Sequence, residues 1–290
     1  MGLPAAANSA APAAARSIAP AAAAVKPAAA QTKPAGAAAN EVWFDLSKKA
    51  VSATATKILI VGDKMYRDKL VELLKKIAGT TVGAALLDEI NDKAVTGKLE
   101  IRQPAVDVSK PNANMCAADT KAADAEAAWA KGAVIHDHAG IKVVGKGTGS
   151  NVTVEFNPWN FDGNTCLGKL AGNIADEVLL HELVHCNRNI RGLVEKTTDK
   201  MGGYVNAEEG IAIIIANMYL SENGKSKLRG AYQTTHTITD DPVAFISSAT
   251  NQTLVMKIYF QHPQLTRRLT FFTKTLKFNV LKAYRDCCLS

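Results

Sequence analysis

Aromatic side chains make up only 6% of the 290 residues, and no basic run is interleaved with them. That lack removes the stacking platforms and cationic grooves of nucleic-acid binders. A net charge of +7 does not restore them. Three of the 34 basic residues, Arg16, Lys26 and Lys33, lie in the first forty positions, which hold no acid. Residues 41–290 then carry 31 basic against 27 acidic side chains, a net +4. Long apolar runs are missing as well. The longest is Ile211 to Ala216, against the roughly 20 residues of a spanning helix, so no transmembrane segment is expected. The N-terminus has no basic n-region or continuous apolar core, which argues against a signal peptide. Ala6 fails the myristoylation pattern. The five cysteines form no CxxC pair, which speaks against a thiolate zinc framework and for reduced thiols in a cytosol-like compartment.

What is present divides in two. Residues 1–40 hold twenty alanines and five of the ten prolines. The prolines interrupt any long helix and nothing there can anchor a core, so 1–40 is expected to be disordered: a leader for export machinery that needs an unfolded end, a linker, or a plain solvated tail. Residues 41–290 read as one folded domain. Strands are expected at Lys57–Gly62 and Lys98–Gln103, helices at Tyr66–Ala78, where Leu70, Leu73, Leu74 and Ile77 fall on one face, and at Gly83–Ile90. Residues 107–131 are ambiguous. Ile141–Val144 and Val152–Phe156 read as a hairpin joined by a turn-rich loop. Ala171–Arg191 and Asn206–Ser221 are strong helices. Residues 224–241 read as a polar loop, and Val243–Phe260 and Leu265–Tyr284 as helical. Strands come early and helices late, which predicts an α+β fold with a small mixed sheet beside a helical half.

The segment that carries chemistry is Glu177-Val-Leu-Leu-His181-Glu182-Leu-Val-His185. Four residues separate the histidines, so a helix projects both from one face, where they can bind one zinc ion. Glu182 follows the first of them and can reach a metal-activated water as general base. Apolar Val178, Leu179, Leu180, Leu183 and Val184 pack the other faces, and Gly192 is a plausible stop. A catalytic zinc needs a third protein ligand. A histidine six residues past His185 is excluded, because that position is Arg191. A glutamate on the next helix is the other solution. Asn206-Ala-Glu208-Glu209 opens such a helix; Glu209 is preferred, with Glu208 and then Asp199 as alternatives. Arg229 and Tyr232 are three residues apart and could both donate to a tetrahedral oxyanion, with Tyr204 and His236 as rival donors.

Weaker signals surround these. His136-Asp137-His138 fits a polar loop better than a metal site. Gly145-Lys-Gly147-Thr-Gly149-Ser has only the composition of a phosphate loop. The sequons at Asn151 and Asn251 mean little without a signal peptide. Cys287-Cys288-Leu289-Ser290 fits the prenylation pattern at Cys287, with a neighbouring basic set of Arg267, Arg268, Lys274, Lys277, Lys282 and Arg285 as a second membrane signal.

Gly145–Phe161, Leu179–Gly192 and Ala207–Tyr232 together resemble the NleD-type effector zinc metallopeptidases, bacterial proteins delivered into target cells by contact-dependent secretion. The Glu209-Gly-Ile-Ala arrangement is similar to the third-ligand helix of anthrax lethal factor, and Arg229-x-x-Tyr232 to the oxyanion pair of clostridial neurotoxins. The resemblance implies a zincin-like α+β domain. It implies Zn2+ held by His181 and His185, Glu182 as base, and a protein substrate in the cytoplasm of the target cell, since NleD-type members cleave host MAP kinases. Two other readings are a zinc amidase or deacetylase on a non-protein substrate, and a binding effector whose zinc is structural, closed by Cys166 or His236.

Overall fold

The computed structural model describes residues 41–44, 57–92, 94, 97–104, 113–117, 134–138, 141–144, 149–161, 171–195, 200–231, 234–237, 240–271 and 276–290. Side chains are not described at residues 42–43, 113–117, 134–138, 141–144, 231 and 234–237. All of these residues fall in the unit Ala38–Ser290; the leader expected at 1–40 lies outside them.

The chain is α+β. Its main sheet has the order β1(Glu41–Trp43), β2(Ile58–Val61), β3(Leu99–Arg102), β7(Val152–Phe156), β4(Ala113–Ala117). The three inner strands are parallel and the two edges antiparallel. In register, Ile58 meets Leu99 and Leu99 meets Val152, while Ile60 meets Ile101 and Ile101 meets Val154. These side chains are buried, and the period-2 pattern puts them on one face. Against the sheet lie α1(Lys64–Ala78) and α3(Ala175–Ile190), with α2(Thr81–Ile90) packed on both helices. The α1 start is set by Asp63, whose carboxylate accepts from Tyr66 N at 2.8 Å. Thr80 caps α2 through Gly83 N at 3.0 Å. Glu222, at the far end of α4(Ala207–Glu222), accepts from the first donors of α2, Thr81 N and Val82 N, which have no partner within the helix.

Helix α4 is buried on every side from Ile211 to Ser221. A helix apolar all round belongs inside a fold, and α4 packs on α3, on α2 and on α6(Ala249–Gln261), which the other C-terminal helices α5(Pro242–Ile246), α7(Pro263–Phe271) and α8(Val280–Cys288) adjoin. Gly210 permits one close approach: a Cβ there would sit 2.6 Å from Leu254 Cδ1 of α6. Among the described residues no helix is long and apolar enough to cross a membrane.

Several expectations are corrected. Ile141–Val144 (β6) and Val152–Phe156 (β7) are strands but not partners. β6 pairs with β5(Val134–His138), only two residues upstream, while β7 enters the core between β3 and β4. The alternating buried residues Val152, Val154 and Phe156 need a neighbour that continues the apolar layer, and β3 supplies it. The expected polar loop at 224–241 contains a strand pair, β8(Arg229–Ala231) and β9(Thr234–Thr237). The helix expected from Ala171 begins at Ala175. Val243–Phe260 is two helices, broken at Ser247 and Ser248. α6 ends before Pro263, which donates no hydrogen bond and keeps His262 out of helical geometry. Leu265–Tyr284 likewise divides into α7 and α8, with 272–275 outside the described residues.

Candidate active site

The site is built on α3 and α4, which pack directly on each other. α3 carries Glu177, His181, His185 and Arg188 at steps of three or four, so one stripe of the helix presents all four. Its C-terminal end is held from outside. Ser150 N donates to Asn189 O at 3.1 Å. That approach requires Gly149 at φ 79°, where any Cβ would lie 1.9 Å from Ile190 O. The turn-rich segment with the composition of a phosphate loop thus ends by closing the active-site helix. Gly192, at φ 67°, terminates α3 as its sequence position suggests.

Glu209 stands in the first turn of α4, whose N-cap Asn206 accepts from Glu209 N at 2.9 Å. Its carboxylate faces both histidines. Oε2 lies 3.3 Å from His181 Nε2, Oε1 lies 3.3 Å from His185 Nε2, and the two Nε2 atoms are 3.2 Å apart. Two ligand atoms about 2.0–2.1 Å from one tetrahedral ion are about 3.3–3.4 Å apart. The Nε2–Nε2 separation therefore compares with one edge of a zinc tetrahedron, each carboxylate oxygen faces a different imidazole, and one ligand atom from each of the three residues lies within 4.8 Å of the others. Two imidazoles and a carboxylate also suit zinc's borderline character. Among the described residues, this is the one group of three or more His, Cys, Asp or Glu that could hold a metal ion.

The electrostatics favour the same use. Burial lowers the pKa of His181 to about 4, keeping it in the neutral form that ligates a metal. Burial opposes charge on His185 too, but the Glu209 hydrogen bond and the Glu209, Glu182 and Glu208 charges outweigh it and raise its pKa. The same imidazoles hold Glu209 well below the ordinary carboxylate range, although burial acts to raise it. Burial lifts Glu182 above its ordinary value, toward the range of a useful general base.

The neighbouring acid, Glu208, is turned away. It takes a bidentate pair from Arg188, with Nε to Oε2 at 2.7 Å and Nη2 to Oε1 at 2.8 Å, and a further bond from Glu195 N at 2.9 Å. Asp199 and Tyr232 lie outside the described residues, as does Cys166, and only the backbone of His236 is described. Tyr204 is buried, and its hydroxyl donates to Asn251 Oδ1 at 3.5 Å. Arg229 is buried at the start of β8. Asn217 of α4 brackets its backbone, accepting from Arg229 N at 2.8 Å and donating to Arg229 O at 2.7 Å. Its Nη1 is 3.9 Å from Glu177 Oε1, and its charge reaches both His181 and Glu182.

A model of the Peptidase_M91 family, described as effector protein, matches residues 54–241, nearly two thirds of the chain. The chain belongs to this family. It is the NleD-type metallopeptidase family whose motifs the sequence resembles, so this member is an effector of peptidase descent. No curated protein and no solved structure matches the chain. The matched span contains the whole His181–His185–Glu209 cluster and Arg229, and ends just before α5.

Sequence reasoning did not reach three residues that shape this Peptidase_M91 site. Arg188 looks like an ordinary basic residue near a helix end, and only its full burial reveals its role. Glu177 looks like a first-turn acid; it is fully buried and accepts from Gly172 N at 2.6 Å, and burial pushes its pKa up to about 7. Asp176 ties α3 to α1 through Lys76 Nζ at 2.8 Å and to α4 through the Tyr219 hydroxyl. At the other end of the chain, Cys287 is exposed within the last turn of α8, and Cys288 accepts from Gln252 Nε2.

Proposed function

We propose that the protein is a zinc-dependent endopeptidase that acts on proteins of a target cell, with residues 1–40 serving as its export leader. The observation that carries the reading is the cluster in which His181 Nε2 and His185 Nε2, 3.2 Å apart, each lie 3.3 Å from a different oxygen of the Glu209 carboxylate, with Glu182 next in sequence to His181. His181, His185 and Glu209 would hold the ion. A bound zinc ion supplies Lewis acidity and a water nucleophile at neutral pH. Glu182 takes the proton of the attacking water and returns it to the leaving amine, a role its burial-raised pKa suits. Arg229, fixed by Asn217, presents a cation to the oxyanion that develops on the scissile carbonyl. Tyr232, three residues on, is the second donor of that pair.

The test compares wild type with Glu182→Gln in two measurements. Elemental analysis should find one zinc per chain in both. Mapping of new N-termini across the proteome of expressing cells should find cleavage products with wild type alone. Equal products from both proteins would refute the assignment of the base, and stoichiometric zinc surviving His181→Ala plus His185→Ala would refute the metal site.

A further inference from the structure

Arg188 lies one turn past His185 and is fully buried. All five of its N–H donors have an acceptor. Nε goes to Glu208 Oε2 at 2.7 Å, and Nη2 to Glu208 Oε1 at 2.8 Å and Leu193 O at 2.7 Å. Nη1 goes to Gln261 Oε1 at 2.8 Å and to His262 Nε2 at 3.2 Å. His262 continues inward through Nδ1 to Glu89 Oε2 at 2.8 Å. That carboxylate also accepts from Asn187 Nδ2 at 2.7 Å, and its other oxygen accepts from Gln264 N at 2.9 Å. The guanidinium therefore joins α3, the first turn of α4, the chain at Leu193 and the end of α6.

Two features make this hub more than a stabiliser. First, Glu208 is the immediate neighbour of Glu209. A guanidinium fork is planar and directional, so gripping both oxygens of Glu208 fixes the rotation of the first α4 turn. With that rotation set, Glu209 faces His181 and His185. Second, Gln261 and His262 lie beyond residues 54–241, so the hub is completed by helices that the family model does not cover.

We propose that Arg188, completed by Gln261 and His262, is the positioning group that sets Glu209 against the two histidines, so that the C-terminal helices govern metal affinity from behind the site. This rests on the zinc reading above. The test uses full-length protein and measures zinc affinity by chelator competition alongside thermal unfolding of the metal-free form. Arg188→Lys keeps the charge but loses the fork and should weaken zinc binding about 10–100-fold, the usual effect of losing an outer partner. Gln261→Ala, a smaller change that keeps the test open should Arg188→Lys fail to fold, should weaken it in the same direction by less. Glu222→Ala removes the α2 cap at the opposite end of α4 and should lower thermal stability without changing zinc affinity. Unchanged zinc affinity in both hub variants, with wild type binding one zinc, would overturn this proposal alone. A wild type that binds no zinc would overturn the metal reading and this inference with it.

Discussion

Glu208 and Glu209 are adjacent, open the same helix and carry the same carboxylate, yet they meet opposite surroundings. Glu208 has a permanent cation and a backbone donor on its oxygens. Glu209 meets only two imidazoles at 3.3 Å, and its Oε2 is buried without a hydrogen-bond partner. A carboxylate whose acceptor capacity is filled by fixed groups is part of the frame. One left facing imidazole nitrogens in a partly open position keeps capacity for a ligand. The front of the α3–α4 pair is built for binding, and the back is the frame that orients it.

Substitution of each acid should separate the two faces. The largest effect is expected at the front: Glu209→Ala should weaken zinc binding by more than the roughly 10–100-fold typical of an outer partner, with metal-free unfolding little changed. At the back, Glu208→Ala strips buried Arg188 of its bidentate carboxylate, leaving Glu195 at 4.0 Å, and should cost about 3–5 kcal/mol in chemical denaturation while weakening zinc binding by less than Glu209→Ala does. If Glu208→Ala instead removes zinc and Glu209→Ala does not, the two faces are assigned the wrong way round. Next in size, Arg229→Lys should lower kcat by about 10²-fold, as loss of one oxyanion donor does, with KM and bound zinc held. Unchanged kcat would move the oxyanion role away from this residue.

The smallest effect concerns Glu177, whose pKa burial raises to about 7 in the folded chain. The folded state then holds this proton more tightly than the unfolded state does. Its contribution to stability is full below the ordinary glutamate pKa near 4.5 and is lost as pH rises through 7. Thermal unfolding of the metal-free protein across that window should show a decline that is shallower in Glu177→Gln. Identical slopes would place the Glu177 titration elsewhere.

The front face was legible because its signal is local. His181 and His185 are four apart in an apolar helix, and that spacing alone puts both on one side. Strands β2 and β3 and helices α1 and α2 were legible for the same reason, since their apolar periods lie within single segments. The pairing of β7 was not: alternation at Val152, Val154 and Phe156 states which side is buried but not which strand lies beside it. Nor could the two acids of α4 be told apart with certainty, because their difference is made by Arg188, twenty positions earlier, and by Gln261 and His262, more than fifty later. A buried arginine has no signature of its own in sequence, since its partners come from elements that only the fold brings together.

The most direct test of the account is a crystal structure of the zinc-soaked protein with anomalous data at the zinc edge. The account predicts one strong peak about 2.0–2.2 Å from His181 Nε2, His185 Nε2 and a Glu209 oxygen, with Glu208 still held in the Arg188 fork. A peak bound by Glu208 or Asp199 in place of Glu209, or no peak at the two histidines, would contradict it.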